Sequence, residues 1–289
     1  MSFALQLKWA IPALSCFLPA LARPAQMTPD YDTLIAHKGE CFDAPENTLP
    51  AFQMAVERGF GFECDIYCSK DGVVFTSHDH DMARLTDGAN TNKWADVEWP
   101  EISRLNVGGY GKWKGSRFDG TRPARLEEVL ALARDGRMIY IDVKTGPEIV
   151  PHIRRVFEAQ GKSMSGQVVF ISFEKDTCKA LKEQMGEFRV LWITSSKHWE
   201  TPGFPPVTAE DVLAVLRETG ADGVDIHYQP DIVTAEMVAA VRNAGYEFHV
   251  WTIDNLEDTL EAFRRGAQSV TTDFAEKLLR AAQARKEKP

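Results

Sequence analysis

Two carboxylates, Glu63 and Asp65, sit inside the apolar run 60–67, and their i, i+2 spacing could do chemistry. On a strand that spacing sends both side chains to one face. Burying them together is costly unless a cation compensates. Hard divalent ions such as Ca2+ or Mg2+ take such oxygen ligands. The bland alternative leaves one of the two at the strand end, in water. Asp142-Val143-Lys144 repeats the spacing with an acid and a base. Asp142 is a candidate third metal ligand and Lys144 a candidate counter-charge for a substrate anion; a salt-bridged pair at a strand end is the competing reading. His37 and His78 add two imidazoles, the side-chain type that titrates near neutrality. Flanking a phosphodiester, one could take a proton from the nucleophile while the other gives one to the leaving oxygen. Lys38 could stabilise the added negative charge of the transition state, and a metal would polarise the phosphoryl oxygen.

These residues need elements that bring them to one place. The chain alternates short apolar runs with amphipathic stretches from residue 34 onward. Strands are expected at 34–36, 62–67, 138–143, 168–171, 189–193, 223–226, 247–251 and 269–272. Helices are expected between most of them, the first over 48–58 with Gly59 as its stop. Lys70-Asp71-Gly72 reads as a hairpin turn leading through 73–75 back to His78. Residues 80–124 break the rhythm and read as an insertion or lid without a core of its own. Eight strand-helix units point to an α/β fold, a TIM barrel with a small insertion after the second strand. An open doubly wound sheet is the alternative, but no GxGxxG follows the first strand. In such a barrel, active residues gather at the C-terminal ends of the strands. His37, Glu63, Asp65, Asp142, Lys144 and Trp251 all fall there. His80, His152 and His198 read as solvated, and His227 and His249 as structural.

His37-Lys38-Gly39, Pro45-Glu46-Asn47-Thr48, Glu63-x-Asp65, Lys70-Asp71-Gly72, His78-Asp79 and Arg84-x-Thr86 occur in this order. Leu126-Glu127-Glu128-Val129-Leu130, Asp142-Val143-Lys144, Val250-Trp251-Thr252 and Thr272-Asp273 follow. As an ordered set over roughly 34–280 they resemble the glycerophosphodiester phosphodiesterase family. The resemblance implies hydrolysis of glycerophosphodiesters to glycerol 3-phosphate and an alcohol. It implies a divalent metal, Ca2+ or Mg2+, held by Glu63, Asp65 and Asp142, with His37 and His78 as acid and base. It also implies substrate contacts from Glu46, Asn47 and Trp251. Two positions depart from the family pattern. Lys38 stands where Arg is usual, which loses a two-pronged grip on phosphate. Asp142 stands where Glu is usual and reaches one methylene less far.

A net charge of -9 argues against a partner such as nucleic acid, whose binders are normally basic. Residues 1–26 read as a signal peptide and leader: Lys8 is the only charge before an apolar stretch, and Ala20-Leu21-Ala22 fits a cleavage site. Export to the periplasm or medium is therefore expected, with cleavage near Ala22, 27–289 as the barrel domain and no stable membrane insertion. Export permits disulfides, yet buried free thiols are favoured for Cys41, Cys64, Cys68 and Cys178, with pairing of Cys41 to Cys64 or Cys68 left open. Without a CxxC pair or clustered His, no zinc is expected at these cysteines. Two further readings remain: a phospholipase D-like relative acting on intact lipids such as sphingomyelin, and a non-catalytic phosphodiester-binding protein.

Overall fold

Short runs rich in Val, Ile and Phe form the strands, and the computed structural model describes them within residues 29–134, 136–161, 163–195 and 207–286. The segment expected to direct export, and His198, lie outside the described residues. The strands are β1 (Leu34–Ala36), β2 (Gly61–Cys68), β3 (Val74–Thr76), β4 (Ile139–Val143), β5 (Val168–Ser172), β6 (Arg189–Thr194), β7 (Gly223–His227), β8 (Glu247–Trp251) and β9 (Val270–Thr272). All but β3 run parallel, in the order β1-β9-β8-β7-β6-β5-β4-β2. Pairing of β1 with β2 closes the ring. An eight-stranded TIM barrel results, as the rhythm of the sequence predicts. β3 lies outside the ring, antiparallel to the upper end of β2.

The helices that cover the barrel begin with α1 (Leu49–Glu57). Thr48 caps it, accepting from the Ala51 N–H, and proline fills its first turn. Gly39, at φ +76, turns the chain against this helix; a Cβ there would lie 2.6 Å from the Ala51 carbonyl carbon, so no other residue fits. Strand alternation sorts the side chains. Phe62, Cys64 and Ile66 join the layer between barrel and helices. Ile35, Tyr140, Val169, Ile171, Leu191 and Ile193 fill the barrel interior.

Residues 80–124 do carry a small core, contrary to expectation. Met82, Leu85, Trp94, Val97 and Ile102 pack around Phe75 of β3. Trp94 and Phe75 meet edge to face at 5.2 Å. Their spacing follows no helical or strand period, because the segment is built of single turns and one four-residue helix, α2 (Trp99–Ile102). That irregularity hid the cluster from the sequence. Among the described residues, no helix is long and apolar enough to cross a membrane.

Candidate active site

The register of β2 against β4 builds the centre of the site. Asp65 pairs directly with Asp142, and Glu63 with Tyr140 one layer lower. Glu63, Asp65 and Asp142 are all buried, and each offers an oxygen within 4.8 Å of the others. Lys144 continues β4 at its C-terminal end. Its Nζ lies 2.9 Å from Asp65 Oδ1 and 2.6 Å from Asp142 Oδ2. Asp142 and Lys144 thus form the salt bridge, with Asp65 as a second partner, and Asp142 remains within the three-acid cluster. Together with His37, His78 and Trp251, these groups line a cavity of about 150 Å3 at the barrel mouth. Ile171, Phe173 and Ile193 form its apolar wall.

Burial and mutual repulsion set the charges. Burial, reinforced by Asp65 and Asp142, pushes the Glu63 carboxyl well above its usual range. Burial also raises Asp142, against the pull of Lys144. Burial acts on Asp65 too, but Lys144, His78 and Lys38 outweigh it and hold its carboxyl below the usual range. Desolvation disfavours the Lys144 ammonium, yet Asp142 and Asp65 overcome this and raise it. One lysine balances one of three acids, so a divalent cation would balance the other two. Asp142 Oδ1 is buried with no hydrogen-bond partner, as expected of an atom reserved for another ligand. An all-oxygen donor set with an orphaned buried oxygen fits Ca2+ or Mg2+.

Each histidine is backed by a carboxylate. His37 follows β1, anchored by its N–H to the Thr272 carbonyl at 2.9 Å. Its Nδ1 lies 2.6 Å from Asp273 Oδ1. Its Nε2 lies 4.0 Å from Glu63 Oε2. His78, after β3, places Nδ1 2.9 Å from Asp79 Oδ1. In both, Nδ1–H donates to an acid, which leaves Nε2 to exchange protons. Burial opposes the charge on Asp273, but hydrogen bonds from His37 and Cys41 hold its carboxyl below the usual range. Asp79 is held low in the same way by Arg84 and His78. The Trp94 indole donates to the Asp79 carbonyl at 2.6 Å, fixing this turn from the insertion side.

The residues around 38–47 support the cavity from its edge. Lys38 and Asn47 adopt the left-handed conformation, at φ 55 and 57, a strained choice that concentrates where a chain is bent for function. The Lys38 N–H donates to Glu63 Oε2 at 2.9 Å, while its Nζ lies 3.9 Å from Glu46 Oε1. Glu46 also accepts from Arg84 of the insertion at 2.6 Å, and Arg84 Nε bonds Asp79 at 2.5 Å. Asn47 stands behind the cavity wall, its amide donating to Asp65 Oδ2 at 2.7 Å and accepting from the Asp65 N–H at 2.9 Å. Its contact is thus with Asp65, whose carboxylate it orients. Trp251 forms the opposite wall, its indole donating to the Asp225 carbonyl at 3.3 Å and meeting Phe173 edge to face at 5.8 Å.

Three residues here carried no role in the sequence reading. Asp273 was visible only as the end of a motif. Asp79 was visible as the neighbour of His78. Asp225 lies on β7, buried, with Oδ1 unpartnered and its carboxyl pushed up to about 8 by burial and by Asp142. An acid in the middle of the apolar run 223–228 was the available signal. The four described cysteines are free thiols.

Two imidazoles, each fixed by an acid and facing a shared cation-sized cluster, suit the cleavage of phosphoric diesters, and that is the class of enzyme this barrel houses. The model of the glycerophosphoryl diester phosphodiesterase family matches residues 37–277. The chain belongs to that family. It is 28% identical over 258 residues to a glycerophosphodiester phosphodiesterase of Caldanaerobacter subterraneus subsp. tengcongensis, covering 85% of this chain and 96% of the relative. An Oleispira antarctica phosphodiesterase, solved in complex with the product sn-glycerol-3-phosphate, superposes with a TM-score of 0.73. It shares 22% identity, over 87% of this chain and 96% of its own. The Thermotoga maritima glycerophosphodiester phosphodiesterase gives a TM-score of 0.66 at 24% identity, over 86% and 97%. At these identities the solved structures speak for the fold.

Proposed function

We propose that the enzyme hydrolyses glycerophosphodiesters to glycerol 3-phosphate and an alcohol, with His37 and His78 as the proton-transfer pair. The observation that carries this is the single cavity in which both histidines face the Glu63, Asp65 and Asp142 cluster. These acids would hold Ca2+ or Mg2+. When bound, such an ion polarises the phosphoryl oxygen and acidifies a hydroxyl.

His37 is the base. Its Nε2 lies beside Glu63, where a glycerol hydroxyl would sit, and its side chain is 20% exposed. His78, 38% exposed, stands nearer solvent, where the alcohol departs, and protonates the leaving oxygen. Lys144 holds the Asp65 carboxyl low and offsets part of the burial that raises Asp142, and Lys38 contributes positive charge at the rim. Trp251 and Phe173 exclude water from the apolar side. A cavity of about 150 Å3 suits a three-carbon polyol phosphate better than a ceramide.

Release of glycerol 3-phosphate from glycerophosphocholine, with and without EDTA, tests the reading. His37→Ala and His78→Ala should each lower turnover by about 10²- to 10⁴-fold, with unchanged circular dichroism. Full rates in both variants would overturn the assignment, and preference for sphingomyelin would point to the lipase-like relative. Export belongs to the same proposal, supported by residues 8–22. A product starting near residue 23 in the periplasm or medium is the expected result of N-terminal sequencing.

A further inference from the structure

Beside the all-oxygen cluster, a second and chemically different group of ligands converges. Cys41 Sγ lies 3.2 Å from Asp273 Oδ1. His37 Nδ1 lies 2.6 Å from the same oxygen. The three ligand atoms fall within 4.8 Å of one another, and all three residues are half-buried. We propose that His37, Cys41 and Asp273 form a second metal site, one that takes zinc or a similar borderline-soft divalent cation and thereby inhibits the enzyme.

The chemistry of the donors separates the two sites. Imidazole, thiolate and carboxylate in a set of three, with a fourth position open, suit zinc. Glu63, Asp65 and Asp142 offer oxygen alone and suit the harder Ca2+ or Mg2+. Zinc-ligand bonds of about 2.0–2.3 Å put tetrahedral donors roughly 3.3–3.8 Å apart, so these side chains need to move by less than about 1 Å. The site can be reached from two sides. His37 lines the active cavity, and Asp273 lines an outer cleft of about 390 Å3 with Glu40, Phe42 and Asp43. Cys41 and Asp273 are 232 residues apart in sequence, so no local cysteine spacing announces the site.

Binding would change what His37 can do. The cation takes the Nδ1 lone pair, and the imidazole proton shifts from Nδ1 to Nε2. Cys41, whose S–H donates to Asp273, enters as a thiol, and its proton leaves to solvent as the metal binds. With Nε2 now carrying hydrogen, His37 can no longer accept a proton from a nucleophile. The inhibitory half of the proposal therefore rests on His37 acting as base, whereas the binding half does not.

The test uses the whole mature chain saturated with Mg2+. Cobalt, a spectroscopic stand-in for zinc, should give a thiolate-to-cobalt charge-transfer band that disappears in Cys41→Ser. Zinc should shield Cys41 of the unmutated chain from alkylation, read by peptide mapping. Half-inhibition by zinc, taken relative to each variant's own zinc-free rate, should require at least about tenfold more zinc in Cys41→Ser and Cys41→Ala. Excess Mg2+ should not relieve it in the unmutated chain. A band that survives in Cys41→Ser, or equal alkylation with and without zinc, overturns the site. The band and the alkylation are read without turnover, so their failure is distinct from failure of the hydrolase reading. If both hold and the Cys41 variants are inhibited as strongly as the unmutated chain, the inhibitory role is overturned.

Discussion

Replacing Lys144 by Met asks how the acid cluster tolerates its own charge. The ammonium is the direct partner of Asp65 and Asp142, at 2.9 and 2.6 Å, and its removal strands two buried carboxylates beside Glu63. Breaking a buried pair in this way costs about 3–5 kcal/mol. For a chain of this size that corresponds to roughly 10 °C in melting temperature. The deficit has a sign in pH. In the unmutated protein the Asp65 carboxyl lies below its usual range, so it stabilises the fold above the unfolded value and the gain is lost only in acid. Without Lys144 that carboxyl rises above its unfolded value, and the variant loses stability as pH climbs. A divalent ion replaces the missing charge and should recover about 2.7 kcal/mol at a hundredfold excess over its dissociation constant. Urea midpoints from tryptophan fluorescence in EDTA, at about pH 5 and about pH 8, then with Ca2+ or Mg2+, read each part. A Lys144→Met midpoint equal to that of the unmutated protein in EDTA at the higher pH would refute the reasoning.

Asp273→Asn removes the anionic acceptor of the His37 Nδ1–H. It should cut kcat by about 10²-fold or more, with little change in KM or melting temperature; steady-state kinetics decide. Asp225 has its folded pKa raised to about 8, so its stabilising contribution is present in acid and lost as pH rises through that value. Asp225→Asn should flatten the fall in melting temperature of the metal-free protein between about pH 4 and about pH 8. Asp142→Ala should raise the metal concentration for half-maximal activity by about tenfold or more. A superimposable metal titration would remove Asp142 from the ligand set.

The barrel was legible because each strand is a short apolar run and most of the longer helices end at or beside a glycine, both local properties. The pairing of Glu63 with Asp65 on one face was legible for the same reason: strand alternation needs only two residues to declare itself. What spacing could not supply was register and long-range closure. Only the alignment of β2 on β4 sets Asp65 beside Asp142. That alignment also brings both acids to Lys144, which lines the cavity beside them. Asp273 reaches His37 across 236 residues, because the last strand of a closed ring lies next to the first. Asn47 was expected at the substrate, but its left-handed backbone points the amide into Asp65. The cluster around Trp94 escaped notice since its apolar residues sit on single turns, where no period develops.

Segment 80–124 leaves and rejoins the barrel at nearly one point. The Thr76 N–H donates to the Ala124 carbonyl at 2.9 Å, and Phe75 bridges Arg125 beside it. A detour whose two ends are already tied can lengthen, shorten or change composition without disturbing ring closure, since added loop length costs little once the ends meet. Arg84 nonetheless reaches from this detour to Glu46 and Asp79 at the rim. The length of this detour can drift, but Arg84 and Trp94 tie it to the turn that carries His78, so those two contacts must persist whatever loop surrounds them.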